Sequence, residues 1–166
     1  MNEYHPVVEK ILDILHSHSL WHETFEHEEV RTSEEAAKIR DGYTLHQGAK
    51  ALIVKVTKRD KTKDFAMIVL PGDARFNSKI VKKYLDARDV VFATPDEVGQ
   101  ITGGILPGGV PPFGNIFRLP VYLDRTVLGN EKIVFNAGDR RFSIGMLASD
   151  FKDLVEPVLV DFVEES

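Results

Sequence analysis

The chain has 166 residues, of which 43% are hydrophobic and 28% are charged, and this length and composition are typical of a single globular domain. It contains no cysteine, which excludes disulfides, iron–sulfur clusters, thiolate zinc sites and a cysteine nucleophile. The net charge is −5, yet residues 48–88 carry 11 Lys and Arg against 4 Asp and Glu, which predicts either a solvated basic surface or a face for a phosphate backbone.

Helix and strand signals alternate in the first third of the chain. Pro6 is a favourable first helical residue, and apolar residues then recur at helical spacing as far as Leu15. Residues 20–27 have the composition of a strand. A capping-box pattern that begins at Thr32 predicts a second, short helix, which Gly42 would end in a left-handed conformation.

The middle of the chain predicts a hairpin followed by two helices. Residues 49–57 and 64–70 are strand-like and flank a polar, cationic tip. Asn77 is a suitable N-cap for the next helix. After a short strand, Thr94 precedes a proline and a capping-box acid, which together indicate a helix start.

The last third begins with an irregular segment. Eight of the twelve residues from 103 to 114 are Gly or Pro, which predicts a loop of defined shape. Three strand-like runs follow, then a short helix capped by Ser149 and a final strand or packed tail. Strands outnumber helices and are interspersed with them, so we expect a single α+β domain over residues 1–166 with a curved mixed sheet.

Export and membrane signals are lacking in this sequence. No apolar run approaches the roughly 20 residues that span a bilayer. The first six residues have neither the basic nor the apolar region of a signal peptide. We therefore expect a cytoplasmic protein with no membrane partner. An acidic protein with one basic stretch is also not a general polyanion binder, so we expect no DNA partner.

Common catalytic and metal-binding motifs are not matched. Four histidines lie between His16 and His27, but His22 and His27 are five positions apart and diverge by about 140° on a helix, so we predict no metal and no other cofactor. The chain has no G-x-S-x-G serine motif, and its Gly/Pro-rich segment fits neither a P-loop nor a dinucleotide fingerprint.

Two features remain as candidates for a site. Lys50 shares a strand face with Leu52 and Val54, so its ammonium either reaches solvent at the sheet edge or neutralises an anion or lone pair in a pocket. The Gly/Pro-rich segment either presents backbone amides to a carbonyl oxygen, with Phe113 as a wall, or is a rigid connection.

Several motifs together resemble the YbaK/prolyl-tRNA synthetase-associated domain family, whose members remove wrongly attached amino acids from transfer RNA. The resemblance runs nearly end to end. Its motifs are residues 30–37 (VRTSEEAA), 47–52 (QGAKAL), 71–73 (PGD), 108–114 (GGVPPFG) and 136–139 (NAGD).

The resemblance implies a compact α+β fold with a central, barrel-like mixed sheet flanked by helices. It implies a freestanding trans-editing deacylase that hydrolyses the ester of mischarged tRNA, with help from the substrate's own groups, without a metal, and with an aminoacyl-tRNA synthetase as a further partner. The alternative is a module of the same fold that binds tRNA or a synthetase without catalysis.

The resemblance also implies site residues. Lys50 matches the family's lysine and would orient the ester end, while amides near Gly108 and Gly109 would stabilise the oxyanion. The predicted substrate-binding residues are Gly108, Gly109, Val110, Pro111, Pro112, Phe113, Gly114, Phe25, His27 and Ser143. The predicted RNA-binding residues are Lys58, Arg59, Lys61, Lys63, Lys79, Lys82 and Lys83.

Two positions differ from the family members that remove alanine. Those members carry asparagine after the lysine and a histidine in the late strand, whereas this chain has Ala51 and Phe142. We therefore do not expect alanine as the substrate, and these two positions keep the non-catalytic alternative open.

Overall fold

A computed structural model describes residues 3–30 and 32–163 of the chain, so Arg31 of the 30–37 motif lies outside the described residues. The described helices are α1 (Pro6–Ser17), α2 (Ser33–Ile39), α3 (Ser78–Tyr84), α4 (Pro95–Thr102) and α5 (Ala148–Val155). The described strands are β1 (His22–Glu26), β2 (Ala49–Thr57), β3 (Lys63–Pro71), β4 (Asp89–Phe92), β5 (Val121–Asp124), β6 (Lys132–Asp139), β7 (Phe142–Leu147) and β8 (Val158–Val160).

The strands form two sheets. One has the order β4-β2-β3-β5-β8 and is mixed, because β2 pairs antiparallel with β3 and β4 whereas β5 pairs parallel with β3 and β8. The other has the order β1-β7-β6 and is antiparallel. The predicted α+β class is confirmed, although the described strands form two sheets rather than one closed barrel.

The two sheets meet where β2 begins. A parallel bridge joins Gly48 to Val134 of β6, and the Val134 N–H donates to the Gln47 carbonyl over 3.0 Å. On the other side, the Gly72 N–H donates to the Gly48 carbonyl over 2.7 Å. The start of β2 and the end of β3 are thereby held against the second sheet.

The alternation of β2 separates two hydrophobic cores. Ala49 and Ile53 face the larger core, which includes residues of α1, α5 and the second sheet. Val54 and Val56 face the smaller core, which includes Val81 of α3. Because both faces of β2 are covered, most residues of the strand are apolar. Lys50, close to the junction of the sheets, is an exception.

Two helix termini differ from the predictions. Helix α2 ends one residue before Arg40, its C-cap, and not at Gly42, because the Arg40 side chain turns into the interior. Helix α5 has Leu147 rather than Ser149 as its N-cap, because β7 runs directly into it and the Ala148 N–H donates to the Glu131 carbonyl over 2.9 Å. Within the described ranges, no helix is both long enough and apolar enough to cross a membrane.

Candidate functional site

A cavity of about 200 Å³ lies at the junction of the two sheets. Its wall is formed by α2, the first residues of β2, the Gly/Pro-rich segment and β6, and it includes Arg40, Lys50, Gly108, Val110 and Asn136. Since a liquid water occupies about 30 Å³, the volume corresponds to about seven waters and suits a small chemical group.

Lys50 is half-buried at the wall of this cavity. Its ammonium donates a hydrogen bond to the Ala74 carbonyl, which carries no charge. Burial lowers the pKa of Lys50, while the negative charges of Glu34 and Asp73 act in the opposite direction. No carboxylate of the described residues forms an ion pair with Lys50, so its charge has no direct neutralising partner there.

The first half of the Gly/Pro-rich segment forms a tight turn beside Lys50. The Gly109 N–H donates to the Leu106 carbonyl over 2.9 Å, and Gly108 has a φ of +89°, which favours glycine over residues with a side chain. Two side chains hold this turn in place. Asn136 Nδ2 of β6 donates to the Gly108 carbonyl over 2.7 Å, and Arg140 Nε, from the connection between β6 and β7, donates to the Pro107 carbonyl over 2.8 Å.

The second half of the segment is part of the hydrophobic core. Phe113, which was predicted as a pocket wall, is 1% exposed, packs against Phe135 and Phe151 with ring centroids 5.5 and 5.4 Å away, and does not line the cavity. Pro111, Pro112 and Gly114 are also buried and lie outside the cavity lining.

Among the amides near Gly108 and Gly109 that were predicted as oxyanion donors, the Gly109 N–H is already used in the turn. By contrast, the N–H groups of Gly108 and Val110 donate to no acceptor among the described residues, and both residues line the cavity. Of the seven residues predicted in this segment, the structure brings Gly108 and Val110 to the cavity.

Arg40 is a site residue that the sequence did not reveal. It is 6% exposed and lines the cavity. Its Nε donates to Ser143 Oγ over 3.0 Å, and its Nη2 donates to Asn136 Oδ1 over 2.9 Å. Burial lowers the pKa of Arg40 to about 10, so the guanidinium is still charged at neutral pH.

His27 and Ser143, both predicted as pocket residues, lie behind Arg40 rather than in the cavity lining. Ser143 is fully buried, and its Oγ is 2.8 Å from His27 Nε2. His27 Nδ1 lies 2.8 Å from the Glu28 carbonyl, which can only accept, so Nδ1 carries the proton. Nε2 of the neutral ring is then an acceptor for the Ser143 hydroxyl, and Asn136 Oδ1, 3.2 Å from Ser143 Oγ, is a second acceptor for the same proton. Burial is the main cause that lowers the pKa of His27, and the charge of Arg40 adds to it.

Phe25 is not brought to the cavity. Its ring is half-buried and packs edge-on against Tyr43 with centroids 5.8 Å apart. Ala51, the residue that departs from the alanine-removing members, does line the cavity. Phe142 lies in the larger core and contacts the ring of Tyr4, so it is not part of the lining.

The predicted RNA-binding cations form an exposed surface that runs away from the cavity. Helix α3 begins close to the cavity, four residues after Ala74, whose carbonyl accepts from Lys50. Just beyond the C-terminal end of α3, Asp86 lies 3.1 Å from Arg59 of the hairpin tip. All members of this surface, which we call the basic track, are exposed, and they are Lys58, Arg59, Lys61, Lys63, Lys79, Lys82 and Lys83.

Some cations of the basic track have acidic partners. Lys58 Nζ lies 2.6 Å from Asp64, and Arg59 is paired with Asp86. As for metals, no group of three or more His, Asp or Glu side chains is arranged to hold one within residues 3–30 and 32–163.

Comparison with known proteins identifies the family. The sequence model of the aminoacyl-tRNA editing domain matches residues 27–154, which include every residue of the cavity wall. The chain belongs to this family. The editing domain is 31% identical over 137 residues to the Multifunctional Ser/Thr-tRNA deacylase ProXp-y of Escherichia coli strain K12, covering 82% of this chain and 80% of that protein. The family predicted from the motifs is confirmed.

Solved structures support the fold of the editing domain. A candidate trans-editing enzyme for prolyl tRNA synthetase superposes with a TM-score of 0.79 at 23% identity, over 98% of this chain and 100% of the other. A scaffold protein from a study of computational epitope grafting superposes with a TM-score of 0.78 at 22% identity, over 98% and 99% of the two chains. At these identities the similarity shows the fold alone.

Proposed function

We propose that this editing domain is a trans-acting deacylase that hydrolyses the ester between a wrongly attached amino acid and the terminal ribose of a tRNA. The observation that carries the proposal is that Lys50 and the turn at Gly108 border one small cavity. The family and the deacylase named among its relatives support the same reaction. A volume of about 200 Å³ suits a small aminoacyl group.

Lys50 orients the ester end of the substrate. Its ammonium is half-buried and contacts only a neutral carbonyl, so it can add a hydrogen bond to the ester carbonyl or the terminal phosphate of the RNA. Hydrogen bonds from a charged donor are about twice as strong as neutral ones. The amides of Gly108 and Val110 are donors for the oxyanion that develops when the carbonyl is attacked.

The attacking group is a water molecule assisted by the substrate. The Thr32 hydroxyl caps α2 by accepting from the Glu35 N–H, and the Ser33 and Thr44 hydroxyls contact no histidine or carboxylate among the described residues. The neighbouring ribose hydroxyl relays the proton of the water to the leaving ribose oxygen. The C–O ester bond breaks, and the products are the free amino acid and uncharged tRNA.

The basic track provides the RNA contact in this proposal. Lys50 and Thr57 are at opposite ends of β2, about 23 Å apart at 3.3 Å per residue, and the tip lies beyond Thr57. Helix α3 runs from the cavity side towards that tip and carries Lys79, Lys82 and Lys83. A tRNA whose terminal nucleotide occupies the cavity would place its acceptor stem along this track.

The test is deacylation of a panel of mischarged tRNAs that covers small, hydroxyl-bearing and thiol-bearing amino acids. We expect wild type to hydrolyse one or a few of them with or without a chelator, and Lys50→Ala to lower kcat/KM by about 100-fold or more, as for loss of an oxyanion donor. The matched control is Lys152→Ala, which changes an exposed lysine of α5.

The panel also separates the alternatives. Wild-type turnover by Lys50→Ala would refute the role of the lysine, and full loss of activity in chelator would refute a metal-independent reaction. A panel without any turnover, together with salt-sensitive binding of uncharged tRNA, would favour the non-catalytic binder. An aminoacyl-tRNA synthetase partner, a cytoplasmic location and a single domain over residues 1–166 stay predictions.

A further inference from the structure

A buried guanidinium borders the cavity with only part of its hydrogen-bonding capacity in use. A guanidinium has five N–H groups, and those of Arg40 that bond to Ser143 and Asn136 account for two of them. The other three donate to no described residue. Arg40 is 6% exposed, yet Nη1, which has no partner among the described residues, is not fully buried, so this donor can be reached from the cavity that Arg40 lines.

The open donors point towards the cavity at Gly48. A Cβ atom added at Gly48 would lie 3.7 Å from Arg40 Nη1, so the missing side chain leaves Nη1 uncovered, and both residues line the cavity. The two acceptors that Arg40 already has, Ser143 Oγ and Asn136 Oδ1, are neutral. No carboxylate of the described residues pairs with Arg40, so its charge is uncompensated where the substrate would bind.

In the function proposed above, Lys50 and the turn at Gly108 bind the ester carbonyl or the terminal phosphate, and the ribose hydroxyl relays the proton, so the groups left to meet Arg40 are the α-amino group and the amino-acid side chain. The α-amino group is cationic and is repelled by Arg40 and Lys50. The remaining group is the amino-acid side chain, which reaches a wall that combines the Arg40 donors with small or apolar residues such as Ala36, Ala37 and Val110.

We propose that Arg40 determines the amino-acid specificity of the editing site by donating a hydrogen bond to an oxygen of the aminoacyl side chain. The inference rests on the deacylase function and assigns to it a specificity-determining residue, one that favours small amino acids that bear a hydroxyl. A hydroxyl oxygen accepts from Arg40, whereas a methyl group of the same size leaves the buried donors unpaired. Sites built to bond a substrate hydroxyl reject the analogue that lacks it far more strongly than apolar pockets reject a size difference.

The test compares isosteric amino acids on one tRNA, because size is then the same for both. Threonyl- and valyl-tRNA serve as the pair, and kcat/KM is measured for wild type and Arg40→Lys, which keeps the charge but loses the planar fork. We expect wild type to favour the threonyl substrate by about 100-fold or more, and Arg40→Lys to reduce this ratio at least about tenfold, mainly through the threonyl substrate. Arg125→Lys, at an exposed arginine paired with Asp161, is the matched control and leaves the ratio unchanged.

A ratio near one in wild type would overturn the inference, and so would a ratio that Arg40→Lys leaves unchanged while both rates fall, because that result describes a structural role only. If Arg40→Lys does not fold, as judged by thermal unfolding, Ser143→Ala takes its place. It removes the acceptor that orients Nε, and we expect a smaller loss of the same ratio.

A binding measurement separates this inference from the deacylase function. The probes are 3′-amino-3′-deoxyadenosines that carry a threonyl or valyl amide, which the enzyme cannot hydrolyse as an ester. Preference of wild type for the threonyl amide, lost in Arg40→Lys, supports the inference even if no tRNA of the panel is turned over. If wild type binds the two amides equally and turnover is intact, the inference is overturned while the deacylase function stands. If wild type binds neither amide, the inference is overturned as well.

Discussion

The two ends of strand β2 place lysines in opposite electrostatic surroundings. Lys50 at the cavity end is half-buried and donates to the neutral Ala74 carbonyl, and burial lowers its pKa. Lys58 just past the tip end is exposed and lies 2.6 Å from Asp64, and this carboxylate raises its pKa. The same hairpin therefore holds one cation without a counter-ion and one with it.

The difference shows which cations are available to a substrate. At the tip, Lys58 and Arg59 each have an acidic partner, so part of their charge is neutralised within the chain. At the cavity, Lys50 and Arg40 contact neutral acceptors only. The uncompensated positive charge at the cavity end favours the binding of a substrate oxygen atom. A count of net charge along the sequence cannot distinguish the cavity end from the tip end.

The largest effect is expected where the cavity end is most tightly packed. A Cβ atom at Gly72 would lie 2.4 Å from the Leu45 carbonyl oxygen, which is backbone and cannot rotate away. Gly72→Ala should therefore lower the free energy of unfolding by about 2 kcal/mol through overpacking, measured by urea denaturation. Because Gly72 lines the cavity, deacylation should fall with it.

The control for this substitution is a glycine with space around it. A Cβ atom at Gly99, inside α4, meets nothing within 4 Å, so Gly99→Ala should raise stability by about 0.5 to 1 kcal/mol. Equal effects of the two substitutions would mean that the junction of the sheets at Gly72 is looser than the structure shows.

Local signals in the sequence predicted the parts of the fold that depend on neighbouring residues. The capping box at Thr94 is present, with reciprocal hydrogen bonds to Glu97, and Asn77 caps α3. The hairpin of β2 and β3 was predicted from two apolar runs around a charged tip, and its strands begin or end within one residue of the expected positions. Lys50 was predicted as a site residue because it shares a strand face with apolar residues and lies in the 47–52 motif.

The rest depends on tertiary packing, which leaves no local trace. Arg40 follows a short helix and reads as a surface residue, and only the approach of Ser143 and Asn136 from the second sheet buries it. Composition likewise could not show that the two halves of the Gly/Pro-rich segment lie in different places. Gly108 in the first half lines the cavity, whereas Phe113 in the second half is buried in the core.

An effect of intermediate size is expected on the pH dependence of stability, because protonation of His27 would add a positive charge close to Arg40. Burial and the nearby Arg40 charge lower the pKa of His27 below its ordinary value of 6.5. On acidification the unfolded chain therefore takes up the proton first, so stability that is present above about pH 6.5 is lost as the pH falls towards the folded-state pKa. We expect the urea midpoint of wild type to fall between pH 7.5 and 5.5.

His27→Gln should reduce this fall, because the amide oxygen can still accept from Ser143 and does not titrate. His18→Gln, at an exposed histidine of the C-cap of α1, is the matched control substitution. If His27→Gln follows the wild-type pH dependence, the group that destabilises the protein in acid is not His27.

The smallest effect is expected at the tip end, where the cations are solvated. If the basic track contacts the acceptor stem, replacing Lys82 and Lys83 together by alanine should weaken tRNA binding and reduce the slope of log affinity against log salt concentration by about one to two. Lys58→Ala should reduce that slope less, because Asp64 already neutralises part of the Lys58 charge. Asp64→Asn releases Lys58 and should therefore tighten binding, which no general loss of folding could imitate. A slope that none of these substitutions changes would exclude the track from RNA contact and leave the cavity end as the site of all electrostatic recognition.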